Sequence, residues 1–112
     1  MKVTLERNDD IKIISLDGQL DVSTSDNTRD EIIALLDKKP VIVSMAKCTY
    51  VSSSGLRALL MIAKTAKSKG TKVIYAEPIE EVVDVLKMTG FIKMLHCVGS
   101  IAEAEREFSH AN

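Results

Sequence analysis

The apolar residues of this chain change period along its length, from blocks to stripes and back. The run IKIISLDGQLD, Ile11 to Asp21, is rich in β-formers, and Asp17-Gly18 reads as the turn that closes it. In STSDNTRDEIIALLDKK the apolar positions Ile32, Leu35 and Leu36 recur at helical spacing. Asp26 and Asp30 lie early in that helix and Lys38 and Lys39 end it, as the helix dipole favours. PVIVSMA is a nearly continuous apolar block, the pattern of a strand covered on both faces. TYVSSSGLRALLMIAKTAK then places Leu56, Leu59, Leu60, Ala63 and Ala66 on one stripe, with Gly70 as terminator. TKVIYAE is a second buried strand. PIEEVVDVLKMTG opens with Pro78 at a first-turn position and closes on Gly90, with Ile79, Val82, Val83 and Leu86 apolar. IKMLHCV reads as a short strand. Ser100 and Glu103 form a capping box for a last helix carrying Ile101, Ala104 and Phe108. The opening MKVTLE adds an antiparallel edge strand.

Strands that alternate with helices and are apolar on both faces predict an α/β fold. Its sheet is mixed and mostly parallel, with about four to five strands and about four covering helices, joined by right-handed crossovers. No linker, repeat or low-complexity tract divides the 112 residues, so residues 1–112 read as a single domain. Hydrophobic residues make 46% and aromatics only 4%, so Ile, Val, Leu, Ala and Met must build the core. Met45, Met61 and Met88 sit within apolar patterns and read as core filler.

Charge narrows the function classes. Fifteen basic side chains face sixteen acidic ones, which gives no overall footprint for direct nucleic-acid binding or for an anionic membrane. MKVTLERNDD lacks the apolar core of a signal peptide, and the longest apolar run, ALLMIA, is too short to insert in a bilayer. Cys48 and Cys97 have no CxxC spacing and read as small hydrophobes in a reducing compartment. The expectation is a soluble cytoplasmic protein.

Candidate chemistry centres on Ser52, Ser53 and Ser54. A nucleophile elbow of the G-x-S-x-G kind centred on Ser53 has Gly55 in place, but Val51 stands at the first glycine position. His96 and His110 are the available bases, and the bland alternatives are a half-buried strand residue and a tail residue. No GxxxxGK[ST] or GxGxxG motif supports a nucleotide cofactor. His96 and Cys97 are adjacent in a strand, so they point to opposite faces and do not chelate a metal together. Two readings of the serines stay open. Serine is a preferred helix N-cap, and a helix N-terminus is also a seat for a phosphate.

GQLDVSTS, with VIVSMAKCTYVSSSGLRALL further along the chain, resembles the bacterial anti-sigma factor antagonists of the STAS family. The similarity runs on through GTKVIYAEPIEEVVDVLKMTGF, nearly the whole chain, and implies a STAS-like fold. The family's most specific motif is an Asp-Ser-[Ser/Thr]-Gly-Leu turn entering a helix, which here reads Ser52-Ser53-Ser54-Gly55-Leu56. That match puts Ser53 at the phosphoacceptor position, with Ser54, Gly55 and Arg57 around it. Asp21 stands where the family has an acidic residue near the phosphorylation site. Ser52 replaces the acid that usually precedes the phosphoserine. The resemblance implies a phosphoprotein that switches partners in transcription regulation. It binds an anti-sigma factor that is also a serine kinase, releases the sigma factor, and is restored by a separate serine phosphatase. It implies a binding module without cofactor, not an enzyme. The alternatives are a STAS-type cytoplasmic subunit of a lipid or anion transporter and, from the incomplete elbow, a serine hydrolase. Arg57, four residues after Ser53, is placed to reach back over the turn, either toward a phosphate or as a solvated side chain that contacts a partner carboxylate.

Overall fold

A computed structural model describes residues 1–110. Five strands, β1 (Lys2–Asn8), β2 (Lys12–Leu20), β3 (Val41–Val51), β4 (Val73–Ala76) and β5 (Cys97–Val98), form one sheet. They lie in chain order, β1-β2-β3-β4-β5. β1 runs antiparallel to β2, and the remaining neighbours are parallel. The helices are α1 (Ser25–Leu35), α2 (Ser53–Ser68), α3 (Glu80–Thr89) and α4 (Ile101–His110), with a short 3-10 turn at Phe91–Lys93. The expected mixed sheet, edge strand and four helices are all present.

The alternation of side chains along each strand sorts the core into two layers. Ile14, Leu16, Val41, Val43, Met45, Val73 and Tyr75 point to one face. There they meet Ile32 and Leu36, then Leu56, Leu59, Ile62 and Ala66 of α2, then Val82 and Leu86 of α3. Ile13, Ile42, Ile74 and Ala76 point to the other face, which α4 covers through Ala104 with Ile101 and Phe108 beside it. Residues 41–45 and 73–76 are buried on both faces, as their continuous apolar runs require. Tyr75 is wholly buried, and its hydroxyl is satisfied by donating to the Leu59 carbonyl at 2.7 Å, which ties β4 to α2. The buried ammonium of Lys12 donates to the Leu35 carbonyl and to Asp37 at 2.9 Å, closing the C-terminus of α1 from the neighbouring strand.

Several sequence expectations are corrected. Asp17-Gly18 is no turn: β2 runs through it, with register shifts against β3 on both sides, and Gly18 takes φ +129°. The extra residues lie on β3, and Gly18 pairs with Cys48 between the two shifts, inside the strand and not at its end. α1 ends at Leu35, ahead of Lys38 and Lys39. β3 continues past PVIVSMA to Val51: Cys48 and Val51 are buried while Thr49 and Tyr50 are exposed, and the register against β2 slips between Cys48 and Tyr50. Pro78 precedes the α3 cap, which is Ile79. IKMLHCV is mostly the 3-10 turn and a loop, with only Cys97–Val98 as strand. In α2 the buried stripe is Leu56, Leu59, Ile62 and Ala66, while Leu60 and Ala63 flank it half-buried. Of the Ser100–Glu103 capping box the forward half is formed, with Glu103 N–H donating to the Ser100 hydroxyl at 3.1 Å; the Glu103 carboxylate accepts from Gly99 N–H at 3.0 Å, one residue before the cap.

Candidate functional site

β3 delivers the serine turn to the C-terminal rim of the sheet, where α2 begins. Ser52 is the N-cap: its backbone is extended, with φ −86° and ψ 177°, and its hydroxyl accepts from Gly55 N–H at 3.2 Å. The Ser52 carbonyl then takes the first helical hydrogen bond, from Leu56 N–H at 2.9 Å. Serine thus performs the capping task that an aspartate would perform in the same place, without its charge.

Gly55 has a reason of its own. A Cβ on it would stand 2.6 Å from the Leu20 carbonyl oxygen and 2.9 Å from Val51 Cγ1. That same carbonyl accepts from Ser52 N–H at 2.9 Å. The end of β2 is therefore pressed against the first turn of α2, which brings the segment after Leu20 beside the serines.

In that segment Asp21 organises the entry to α1. One carboxylate oxygen accepts from Ser23 N–H at 2.9 Å, from the Ser23 hydroxyl at 2.7 Å and from Thr24 Oγ1 at 3.3 Å. Its backbone N–H donates to Thr24 Oγ1 at 3.0 Å, and its carbonyl accepts from the Ser25 backbone and hydroxyl. The bonds from Ser23, first from its hydroxyl and then from its backbone, hold the Asp21 carboxyl below its usual pKa. The family-implied acidic position is thus a fixed, charged turn.

The three serines divide their roles. Ser52 is spent on the cap. The Ser54 hydroxyl lies 3.5 Å from an Arg57 guanidinium nitrogen, so Arg57 leans toward Ser54 and not onto Ser53. Ser53 is the first residue of α2, is exposed, and among the described residues its hydroxyl has no hydrogen-bond partner. The N–H groups of Ser53 and Ser54 are among the helix's unpaired first-turn donors. Beside them a hollow of about 270 Å³ opens between α1 and α2, lined by Asp26, Arg29, Ser54, Arg57, Ala58 and Met61. Val22 and Tyr50, which flank the Leu20–Ser52 contact, are 80% and 50% exposed. Met61, which lines the hollow, is half exposed and Met88 on α3 is 87% exposed, so neither is core; only Met45 of the three is buried.

Nucleophilic chemistry gains no support from this geometry. His96 pairs with Glu107 of α4 at 2.5 Å, and His110 closes α4. Among the described residues no cluster of His, Cys, Asp or Glu is arranged to hold a metal, and no helix is long and apolar enough to cross a membrane. Cys48 is buried and Cys97 half-buried. Burial raises the Cys48 thiol and pushes Cys97 up to about 11, so both stay protonated and unreactive at neutral pH.

Residues 2–104 match the model of the STAS domain. The chain belongs to the STAS family. Among curated relatives, STAS similarity extends to the candidate anti-sigma factor antagonist BtrV of Bordetella bronchiseptica. It is 26% identical over 113 residues, covering 99% of this chain and 97% of that one. An anti-sigma F factor antagonist of Paenibacillus polymyxa is 28% identical over 98 residues, covering 85% and 84%. Among solved structures, the anti-sigma factor antagonist SpoIIAA in its unphosphorylated form superposes with a TM-score of 0.75 at 18% identity, covering 99% of this chain and 100% of that one. The phosphorylated form of SpoIIAA, from Bacillus, gives 0.64 at 18% identity, with 94% and 98% covered. At these identities the structural likeness is one of fold.

What the sequence missed at this site is the Leu20 carbonyl and the apolar rim. The carbonyl is a backbone group with no residue signature. Val22 carried no periodic signal as a single apolar residue in a polar stretch, and Tyr50 was masked by its buried neighbour Val51.

Proposed function

We propose that this STAS chain is an anti-sigma factor antagonist whose binding is switched off by phosphorylation of Ser53. The observation that carries this reading is the division of labour at the turn. Ser52 and Ser54 are engaged, whereas Ser53 presents a free, exposed hydroxyl at a helix N-terminus. The names of the relatives and the fold shared with SpoIIAA support the same assignment.

In the unmodified state the partner, an anti-sigma factor of the serine-kinase type, covers the turn and the apolar rim of Val22 and Tyr50. Capturing that factor frees its sigma factor. The kinase then places the γ-phosphate of ATP in line with Ser53 Oγ. The Oγ–P bond forms as the bond to the β-phosphate oxygen breaks, and the hydroxyl proton passes to a base on the kinase. This chain contributes the acceptor and holds it in place; it is substrate and binding module, and supplies no catalytic group.

The phosphate brings about −1.5 to −2 charges and a hydrated head into what was a contact surface. The N–H groups of Ser53 and Ser54 and the positive end of α2 tolerate it, so the fold persists. The interface does not tolerate it, because the charge must be stripped of water or meet a like charge. A serine phosphatase reverses the state by hydrolysis.

The test is partner capture with the wild-type chain, followed by reaction of the purified pair with ATP and mass-spectrometric mapping. The expected result is a kinase-type anti-sigma factor and a single phosphate on Ser53. Recovery of a membrane transporter subunit instead, or phosphate on other residues only, would overturn the proposal.

A further inference from the structure

The near-neutral charge of the chain conceals a division. Of its fifteen basic residues, eight lie between Lys38 and Ala76, a span with no acidic residue, while all sixteen acids lie outside it. Four of the eight, Lys64, Lys67, Lys69 and Lys72, occupy the second half of α2 and the loop after it, far from the serine turn. Lys64, Lys67 and Lys72 edge a groove between α2 and the segment after the 3-10 turn. One part of it, about 340 Å³, is floored by Leu60, Ala63 and Met94; the adjoining part is about 350 Å³. Met94 is 52% exposed there. Among the described residues, none of these lysines makes an ion pair.

The complement of this groove is carried by the same chain. α3 bears Glu80 and Glu81 in its first turn and Asp84 one turn on, all exposed and, among the described residues, all without a cationic partner. One further turn on stands Met88, 87% exposed and the most exposed large hydrophobic residue described. The spacings agree. Leu60, Lys64 and Lys67 are separated by four and three residues, and Met88, Asp84 and Glu81, read backwards, by four and three. Two antiparallel helices at that spacing set Lys67 against Glu81, Lys64 against Asp84 and Leu60 against Met88, each on one helix face.

We propose that this surface is the interface of a two-fold homodimer, in which α3 of each copy lies in the α2 groove of the other. Gly90, in the left-handed conformation at φ +80°, turns the chain from α3 directly into the segment that carries Met94. Donor stripe and acceptor groove therefore adjoin on one surface. That adjacency lets the contact close on itself, each patch meeting its complement on the partner, so that the assembly ends at two copies. A nucleic acid fits the groove less well, since its walls carry no aromatic platform or arginine fork. The apolar floor also gives such a ligand nothing to pair with. Ser53 lies seven residues before Leu60, the near end of the contact, about 10 Å along the helix, so the dimer leaves both serine turns exposed. The inference stands apart from the proposed switch.

Sedimentation velocity on the full chain decides it. At low salt, wild type is expected to shift from monomer to dimer as concentration rises from micromolar to millimolar. At about 1 M salt, where the screening length falls to about 3 Å, the dimer is expected to weaken by about tenfold or more. Lys64→Glu with Lys67→Glu is expected to stay monomeric, and so is Glu81→Lys with Asp84→Lys. Mixed in equal amounts, the two variants are expected to recover a dimer, because each groove then meets a stripe of opposite sign. Circular dichroism verifies that both variants are folded. A wild type that is monomeric throughout, a reversed variant that dimerises like wild type, or a folded pair that fails to recover would each overturn the proposal.

Discussion

The carbonyl oxygen of Leu20 and the α-carbon of Gly55 face each other with no room for a methyl group, since a Cβ on residue 55 would stand 2.6 Å from that oxygen. Backbone presses on backbone here, so neither side can yield by turning a side chain. Gly55→Ala must therefore part β2 from α2 and weaken the Ser52 N–H to Leu20 bond. The expected loss is about 1–3 kcal/mol in urea unfolding, the usual range for overpacking, with faster exchange of the Ser52 amide. An alanine variant as stable as wild type would show that the contact relaxes freely.

Ser52 tests the cap separately from the charge. Ser52→Ala removes the acceptor for Gly55 N–H and should cost about 1 kcal/mol. Ser52→Asp keeps the acceptor and adds a negative charge at the positive end of α2, for an expected gain of about 0.3–1 kcal/mol. Thermal melts of the three proteins should therefore rank aspartate, serine, alanine. Once Ser53 is phosphorylated, the order of the first two should reverse, because two anions then share one helix end.

At Ser53, alanine should keep partner affinity while abolishing the off state, and aspartate should weaken binding only in part. Aspartate carries less charge than phosphate and lacks its three acceptor oxygens. Calorimetry against the captured anti-sigma factor reads both. Equal affinity for wild type and Ser53→Asp would argue against an electrostatic veto at this residue.

Arg57 leans on the Ser54 hydroxyl at 3.5 Å, one residue from the acceptor. A phosphate on Ser53 offers it a stronger partner within one turn. Melting wild type and Arg57→Gln, each with and without the phosphate, should reveal a favourable coupling below about 1 kcal/mol that fades with salt, as for exposed pairs. Zero coupling at low salt would leave Arg57 to the partner surface alone.

The Asp21 carboxyl titrates below its usual value because Ser23 and Thr24 donate to its charged form. Its contribution to stability is therefore complete above the unfolded carboxylate pKa, near 3.8, and is lost as pH falls through the folded value. Asp21→Asn should be less stable than wild type at neutral pH, and the gap should narrow in acid. Urea midpoints measured from neutral pH down to about pH 2 give the comparison. A gap that stays constant across that range would mean that packing of the turn, and not its charge, is what the mutation removes.

Much of this molecule was legible because apolar period is read directly. The runs at 41–45 and 73–76 are uniform, and they are the strands buried on both faces. The tail of β3 was missed because Thr49 and Tyr50 break the run, and a register slip between Cys48 and Tyr50 breaks the alternation as well. Gly18 misled because a glycine with positive φ sits inside a strand here, opposite Cys48, where the sequence pattern suggested a turn. At the site, the motif singled out Ser53, and Ser53 is exposed at the start of α2. Counting charge over the whole chain hid its division, since the sum is insensitive to where Lys64 and Asp84 sit. Met61 and Met88 read as core because they stand in apolar runs, yet at helical spacing they fall well away from the stripes of α2 and α3, and both are exposed.

The strands follow one another across the sheet without a reversal in order. Right-handed crossovers then lay α1, α2 and α3 on the same side, as the main core layer shows. In doubly wound sheets the order reverses, neighbouring loops part to opposite sides, and the gap between them becomes a crevice for a small molecule. A singly wound sheet has no such parting. Its loops close up shoulder to shoulder, as Leu20 does against Gly55, and the rim becomes a continuous outward surface. Such a rim suits recognition by something as broad as itself, which is another protein's surface. In this architecture a covalent mark on one exposed hydroxyl stands within the contact surface itself, and so can edit the whole of it.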